Sequence, residues 1–136
     1  MRLVQWRKMT LLLGHENVKR VGLKATDKLG DKFQIEIELN LEPDFEWIHA
    51  FKRPHEYKHD EAHPKQIHIS GNKLMFYSSE RKLDENLQWI DNYINQANES
   101  YCRKKKQEAD EINKKQEQEA KKKEELDRIN KLLAEK

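Results

Sequence analysis

The sequence predicts an α+β fold: a small antiparallel sheet of two β-hairpins and two helices in the order β-β-α-β-β-α, with a long charged C-terminal helix extending beyond the domain. Three observations support this prediction. Apolar and polar residues alternate over two stretches, a Gly-Asn pair suits a tight turn in the second stretch, and no glycine or proline follows Gly71. The predicted parts are a domain over residues 1–101 and a protruding charged helical arm over residues 102–136.

The composition leaves little material for a core of ordinary size. Of the 136 residues, 38% are charged and 35% are hydrophobic, so part of the chain must be solvated. Acidic and basic residues nearly balance, with a formal net charge of +2, which argues against a dedicated nucleic-acid or membrane binder. The four glycines are scattered, so no phosphate-binding loop and no cofactor are predicted.

Cys102 is the only cysteine, so the sequence allows no intramolecular disulfide and no CxxC motif. This usage is typical of an intracellular protein, and we predict a cytoplasmic location without membrane contact. Near the N-terminus the apolar run at residues 11–13 is too short for a signal peptide or a membrane span. Residues 1–13 are interpreted as an edge strand or a short docking segment.

The first alternating stretch, residues 18–41, has a period of two and predicts two half-buried strands. Its apolar positions are Val21, Leu23, Ala25, Phe33, Ile35, Ile37, Leu39 and Leu41. Residues 27–31 supply the turn, in which Gly30 is expected to take a positive φ. Pairing Leu23 with Ile35 places apolar residues opposite each other on one face of the sheet and charged or polar residues opposite each other on the other face. The alternation determines which face each side chain occupies more firmly than it determines the exact register of the two strands.

Alternation stops in residues 42–51, which predict a short helix with Pro43 or Asp44 at its start. The side facing the sheet is either Phe45, Ile48 and Phe51, or Trp47 and Phe51. The polar residues 55–65 that follow predict a loop or a single helical turn.

Residues 66–77 carry the clearest hairpin pattern, because Gly71 and Asn72 suit the two central positions of a tight turn. This turn gives two apolar cross-strand pairs, Ile69 with Leu74 and Ile67 with Phe76. Ser78 or Ser79 is the expected N-cap of the last helix. Six residues of that helix recur at spacings of three or four and predict a face that covers the sheet: Leu83, Leu87, Ile90, Ile94, Ala97 and Tyr101.

Past Tyr101 the apolar face nearly ends, while nothing in the sequence stops the helix. Charge pairing is expected to replace burial, at about 0.2–0.5 kcal/mol for each acid-to-base pair at i,i+4 spacing. The pairs are Asp110 with Lys114, Glu111 with Lys115, Glu117 with Lys121, Glu119 with Lys123, Glu124 with Arg128, and Asp127 with Lys131. A heptad repeat placed on Ala109 and Ile112 fails at half of its core positions, so this segment alone predicts no stable long coiled coil.

The last turns of the helix gather four aliphatic residues, Leu126, Ile129, Leu132 and Leu133. Such an apolar patch has no evident intramolecular use on a charged helix, so it is predicted to bind a partner. The predicted function is therefore a non-enzymatic interaction or adaptor protein that docks another protein chain, a second copy or a different one, through its C-terminal helix.

Basic residues give the alternative prediction, an accessory nucleic-acid-binding protein that uses the basic helix segment and the outer face of the sheet. The residues concerned are Arg20, Lys24, Arg103, Lys104, Lys105 and Lys106. Acidic residues follow the basic run within about one turn and weaken its field, so a solvated helix face is the commoner meaning of this pattern.

His55, His59 and His63 are spaced four residues apart with acidic residues between them, a pattern that can bind zinc. The segment lies between Pro54 and Pro64 in an expected exposed loop, and the interpretation as a solvated polar loop is favoured over a metal site. No nucleophile and base are close enough in the sequence to suggest a catalytic triad, so no catalytic residue is predicted.

Overall fold

The computed structural model describes residues 17–136 and confirms the α+β class. The strands are β1 (Arg20–Leu29), β2 (Lys32–Leu39), β3 (His68–Ser70) and β4 (Lys73–Ser79), and the helices are α1 (Phe45–Phe51) and α2 (Leu83–Ala134). A 3₁₀ turn at Pro64–Gln66 adds one element between α1 and β3 to the predicted order. The prediction for residues 1–13 lies outside the described residues.

The four strands form one antiparallel sheet in the order β1-β2-β4-β3, so the two predicted hairpins pair through β2 and β4. Contacts between residues divide the chain into two units, Met1–Cys102 and Arg103–Lys136. In the first unit one face of the sheet carries the apolar core. Its fully buried side chains come from β2, β4 and both helices, and include Ile37, Leu39, Phe51, Leu74, Phe76, Ile90 and Tyr93.

The register of the first hairpin differs from the prediction by two residues. Leu23 pairs with Ile37, where pairing with Ile35 was predicted, and bulges interrupt β1 on either side of this segment. Over residues 22–25 the predicted facing is kept, because a shift of two residues leaves each side chain on the same face. Beyond the bulges it is not: Phe33 pairs with Lys28, where Ala25 was predicted. The tight turn at Gly30, which has φ of 65°, replaces the wider predicted loop and moves the register.

β1 is almost entirely exposed, whereas β2 alternates between buried and partly exposed positions. The prediction of two half-buried strands is therefore wrong for β1 and correct for β2. Among the described strands β1 lies at the edge of the sheet, where bulges are common and one side of the strand has no neighbouring strand. An alternating pattern alone does not distinguish such an edge strand from a central one.

The second hairpin matches the prediction closely. Ile69 pairs with Leu74, and Gly71, with φ of 60°, occupies the two-residue turn with Asn72. Ile67 is buried as expected, but it precedes β3 as the C-cap of the 3₁₀ turn.

α1 confirms Asp44 as its N-cap and the second of the two predicted faces. The Asp44 Oδ1 accepts a hydrogen bond from the backbone N of Trp47 at 3.0 Å, and Oδ2 accepts one from the Tyr101 hydroxyl at 2.6 Å. Trp47 and Phe51 are buried and stacked, with ring centroids 5.3 Å apart, while Phe45 is exposed.

The prediction of Ser78 or Ser79 as the N-cap of the last helix is wrong, because both residues belong to β4 and α2 begins only at Leu83. Ser78 is buried and donates a hydrogen bond to the Ser79 carbonyl at 2.9 Å. All six residues of the predicted covering face pack in or against the core. Asn86 and Tyr93 are also fully buried on this helix, and neither was predicted.

Two asparagine side chains hold the segment that enters β1. The Asn98 side chain of α2 forms two hydrogen bonds with the backbone of Val18: it accepts one from the Val18 N at 3.1 Å and donates one to the Val18 carbonyl at 2.9 Å. Asn40 accepts from the backbone N of Lys19 at 2.8 Å and donates to the Asn17 carbonyl at 2.9 Å. Hydrogen bonds from both asparagines therefore hold the backbone of residues 17–19 just before β1 begins.

Candidate functional site

The four predicted partner-binding residues lie together in the last turns of α2, in the second unit. Their exposed fractions are 55% for Leu126, 44% for Ile129, 51% for Leu132 and 62% for Leu133. We call these four residues the distal patch. Every residue from 110 to 136 is exposed, so within the described part of the chain no side chain covers the distal patch.

Leu126, Ile129 and Leu133 are spaced three and four residues apart and therefore share one side of the helix. Leu132 lies about 100° around the helix from Leu133 and widens the apolar surface. A contiguous group of exposed aliphatic residues is typical of interaction surfaces, whereas scattered single residues are common on any protein surface.

The charged side chains of this unit do not form the predicted pairs. None of the six acid-to-base pairs at i,i+4 spacing comes within 4.0 Å in the described residues, whereas Lys105 Nζ lies 3.4 Å from a Glu108 oxygen three residues away. Exposed long side chains gain little from pairing in water, because ordering them costs as much as the attraction supplies. The charges of the distal turns are therefore available to groups outside the chain.

A second cluster of functional side chains lies in the first unit around Asn86, which is fully buried. The Asn86 Nδ2 donates to Ser78 Oγ at 2.8 Å and to Glu61 Oε1 at 3.0 Å, while its Oδ1 accepts from Lys58 Nζ. The side chain thus links β4, the loop after α1 and the start of α2. We call Lys58, Glu61, Ser78 and Asn86 the polar cluster.

The loop that carries Lys58 is partly buried, which corrects the prediction of a solvated loop. The backbone N of Lys58 donates to the Tyr93 hydroxyl at 2.8 Å, and that hydroxyl donates to the Ala62 carbonyl at 3.0 Å. The Lys58 ammonium lies 3.5 Å from Asp60 and 3.7 Å from Glu85. Two carboxylates and the Asn86 carbonyl oxygen therefore compensate the burial of this charge.

Glu61 is held by the end of β4 as well as by Asn86. Its Oε1 accepts from the backbone N of Ser79 at 2.7 Å, and the Ser79 hydroxyl lies 3.1 Å from Oε2. Desolvation raises the pKa of the Glu61 carboxyl, but the hydrogen bonds from Ser79 and Asn86 and the charge of Lys32 together lower that pKa below its ordinary value of 4.5.

This lowered pKa predicts a loss of stability in acid. Because the folded pKa of Glu61 lies below the unfolded one, its stabilising contribution is complete above about pH 4.5 and disappears as the pH falls through the folded pKa. In Glu61→Gln, the free energy of unfolding should therefore fall less steeply below pH 4.5 than in the unmodified chain, as measured by urea titrations at several pH values. Equal slopes for the two proteins would contradict the assignment.

An open pocket of about 560 Å³ adjoins this loop and is lined by His59, Asp60, Glu61, Tyr77 and Lys82 among others. Its carboxylates already have partners in the chain. The Asp60 carboxylate lies 2.9 Å from Lys82 Nζ, and this hydrogen bond holds the pKa of Asp60 below its usual range. With Glu61 hydrogen-bonded as described, neither group is positioned as a free general base.

Among the described residues, the three histidines of the candidate metal site do not form a metal-binding group. The ring of Tyr57 lies 5.0 Å from the rings of both His59 and His63, and His63 Nδ1 accepts from the backbone N of Lys65 at 3.1 Å. His55 has a different contact: its backbone N donates a hydrogen bond to Gln96 Oε1 at 2.9 Å. Within residues 17–136 no group of three or more His, Cys, Asp or Glu side chains is arranged to hold a metal ion.

The basic residues of the alternative prediction are divided between the two units. In the first, Arg20 forms a two-pronged ion pair with Asp91, both bonds being 2.9 Å, and Lys24 lies 3.7 Å from Glu36. In the second, Lys105 is mostly buried beside Glu108, while Arg103, Lys104 and Lys106 are exposed. Carboxylates thus engage part of this charge, and nucleic-acid binding stays a prediction.

Sequence reasoning missed the polar cluster, although one signal for it exists. Asn86 lies three residues after Leu83 and four before Ile90, so it falls on the predicted apolar face of α2. A polar residue at such a position indicates buried hydrogen bonding. Its partners in the loop, 25 and 28 residues earlier, carry no comparable pattern.

No helix among the described residues is long and apolar enough to cross a membrane. Comparison of the chain with protein-family models, with curated protein sequences and with solved structures finds no match.

Proposed function

We propose that the chain is a non-enzymatic interaction or adaptor protein that docks another protein chain through the distal patch of α2. The observation that carries this proposal is the exposure of four aliphatic side chains within about two turns of a helix whose residues 110–136 are all exposed. In proteins most of the stability of a helix comes from packing of its apolar face. A partner would supply that packing.

The energy available from docking favours the distal patch over the charged turns before it. Fully burying an aliphatic side chain contributes about 1.5–3 kcal/mol, and these four are roughly half exposed, so each has about half of that left to gain. A charged pair on a helix surface contributes about 0.2–0.5 kcal/mol, and none of the six predicted pairs forms in the described residues. The aliphatic side chains therefore account for most of the expected binding energy.

The test replaces Leu126 and Leu133 together by Asp in the full chain. We expect the double variant to lose most of the higher-mass species or partner recovery of the unmodified chain, by several-fold or more, while its helix content by circular dichroism stays similar. Size-exclusion chromatography with light scattering and quantitative co-purification from the native cell measure the two effects.

Ile112→Asp is the matched control, because Ile112 is 58% exposed on the same helix but lies outside the distal patch. It should leave mass and partner recovery unchanged. Equal behaviour of the Leu126 and Leu133 double variant and the unmodified chain in both measurements would contradict the proposed function.

A further inference from the structure

We infer that the partner of the distal patch is a second copy of this chain, joined as a parallel, in-register pair of helices over residues 122–134. This inference rests on the proposed function and specifies its partner. It follows from the placement of one polar residue between two leucines and from a pair of opposite charges beside them.

Leu126 and Leu133 are one heptad apart in a continuous helix, and Asn130 lies between them on the same stripe. In a two-stranded coiled coil this gives leucine at two d positions and asparagine at the intervening a position. When two copies align in parallel and in register, the two Asn130 amides meet and satisfy each other. In a shifted or antiparallel pair Asn130 would face apolar groups, so this residue favours one alignment.

The residues on the two sides of this stripe extend the apolar contact. Ile129 is at the g position and Ala134 at the e position, and in a parallel pair each g residue lies beside the e residue five positions later in the other helix. Ile129 of one copy would therefore contact Ala134 of the other. The part of Ile129 that is now exposed, 44% of the side chain, would be covered by this contact.

The charges are complementary in the same alignment. Lys122 at g and Asp127 at e are five residues apart, so Lys122 of each copy would lie beside Asp127 of the other, giving two ion pairs by symmetry. Within one helix, residues five apart do not face each other. In the described part of the chain neither residue has an oppositely charged group within 4.0 Å, so both charges remain available for this pairing.

The residues that precede this segment limit its length. Gln116, Glu119 and Lys123 continue the same stripe toward the N-terminus of the helix, where Glu119 and Lys123 would each face the same charge in the other copy. The pairing is thus confined to about two heptads, which predicts a weak, concentration-dependent dimer. A covalent trap is the suitable way to detect it.

The first experiment introduces one cysteine into a full chain that carries Cys102→Ser. A parallel, in-register pair brings the two residues at position 130 within disulfide distance, whereas residues on the outer side of the helix stay apart. We expect Asn130→Cys to form disulfide-linked dimers at least several-fold faster than the matched control Arg128→Cys under the same mild oxidation. Equal rates for the two variants would overturn the parallel pairing.

The second experiment reverses the charges in the Asn130→Cys chain. Lys122→Glu alone and Asp127→Lys alone each place like charges side by side in the dimer, and each should lower the dimer yield. An equimolar mixture of the two, one copy carrying a size tag, should restore the yield as mixed dimers, because both inter-copy pairs are then opposite in charge. Equal yields for the two single variants and their mixture would contradict the charge pairing.

The outcomes separate this inference from the proposed function. If Asn130→Cys does not trap a dimer and light scattering gives the mass of one chain, but the change of Leu126 and Leu133 to Asp still lowers partner recovery from the native cell, the second copy is excluded and docking of a different protein stands. If Asn130→Cys traps no dimer and the change of Leu126 and Leu133 to Asp has no effect, both this inference and the proposed function are wrong.

Discussion

A chain that ends at Leu87 should lack a stable fold and therefore show no cooperative unfolding transition. This truncation removes the core residues Ile90, Tyr93, Ile94 and Ala97, of which Ile90, Tyr93 and Ala97 are fully buried and Ile94 nearly so. At about 1.5–3 kcal/mol for each large apolar side chain, the loss approaches the whole stability of an ordinary domain, which is about 5–15 kcal/mol. It also leaves the apolar faces of β2 and β4 without their cover.

Urea unfolding followed by tryptophan fluorescence and circular dichroism measures this effect. The matched control is a chain that ends at Lys106, which keeps every residue of the core and should retain a cooperative transition with a midpoint close to that of the full chain. A cooperative transition in the chain that ends at Leu87 would show that the sheet is stable without the part of α2 that follows Leu87.

Asn86→Ala should destabilise the folded protein by about 3 kcal/mol, because it removes three hydrogen bonds at once from a fully buried position. The Lys58 ammonium would lose its acceptor in the interior, and the Ser78 hydroxyl and the Glu61 carboxylate would each lose a donor. Buried groups left without partners cost more than the average net value of a hydrogen bond.

Chemical denaturation of the purified variant checks this prediction. Asn92→Ala is the control, since Asn92 is exposed on the same helix and its replacement should change the free energy of unfolding by less than about 0.5 kcal/mol. Similar values for the two variants would mean that water replaces Asn86 in the polar cluster without cost.

The elements of the fold could be predicted where a single periodicity dominates. The hairpin around Gly71 was predicted with its register because the two-residue turn leaves no freedom in the pairing of Ile69 with Leu74. The first hairpin was misaligned because the sequence allowed a wider turn before Gly30, and because the bulges in β1 leave no mark in the alternation.

The start of α2 shows a similar limit. Ser78 and Ser79 are good N-cap residues in isolation, but pairing with β2 keeps them in β4, so sheet formation overrides the local preference.

The two candidate sites differ in how far sequence reasoning reaches. The distal patch consists of residues close together on one helix, so spacing alone places them side by side. The polar cluster joins Lys58 and Glu61 to Asn86 across a loop, and its geometry depends on how that loop returns to the helix. No periodic pattern describes such a return, which is why these residues were assigned to a solvated loop.

The bonds between Asn98 and Val18 also bear on the order in which the chain acquires its structure during synthesis. The two residues are 80 positions apart, so these two bonds cannot form until Asn98 has left the ribosome. Contacts between such distant positions slow folding, because a long loop must close before they form. The nascent chain should therefore fix residues 17–19 against α2 late, after the bonds from Asn40 to the same residues can already form.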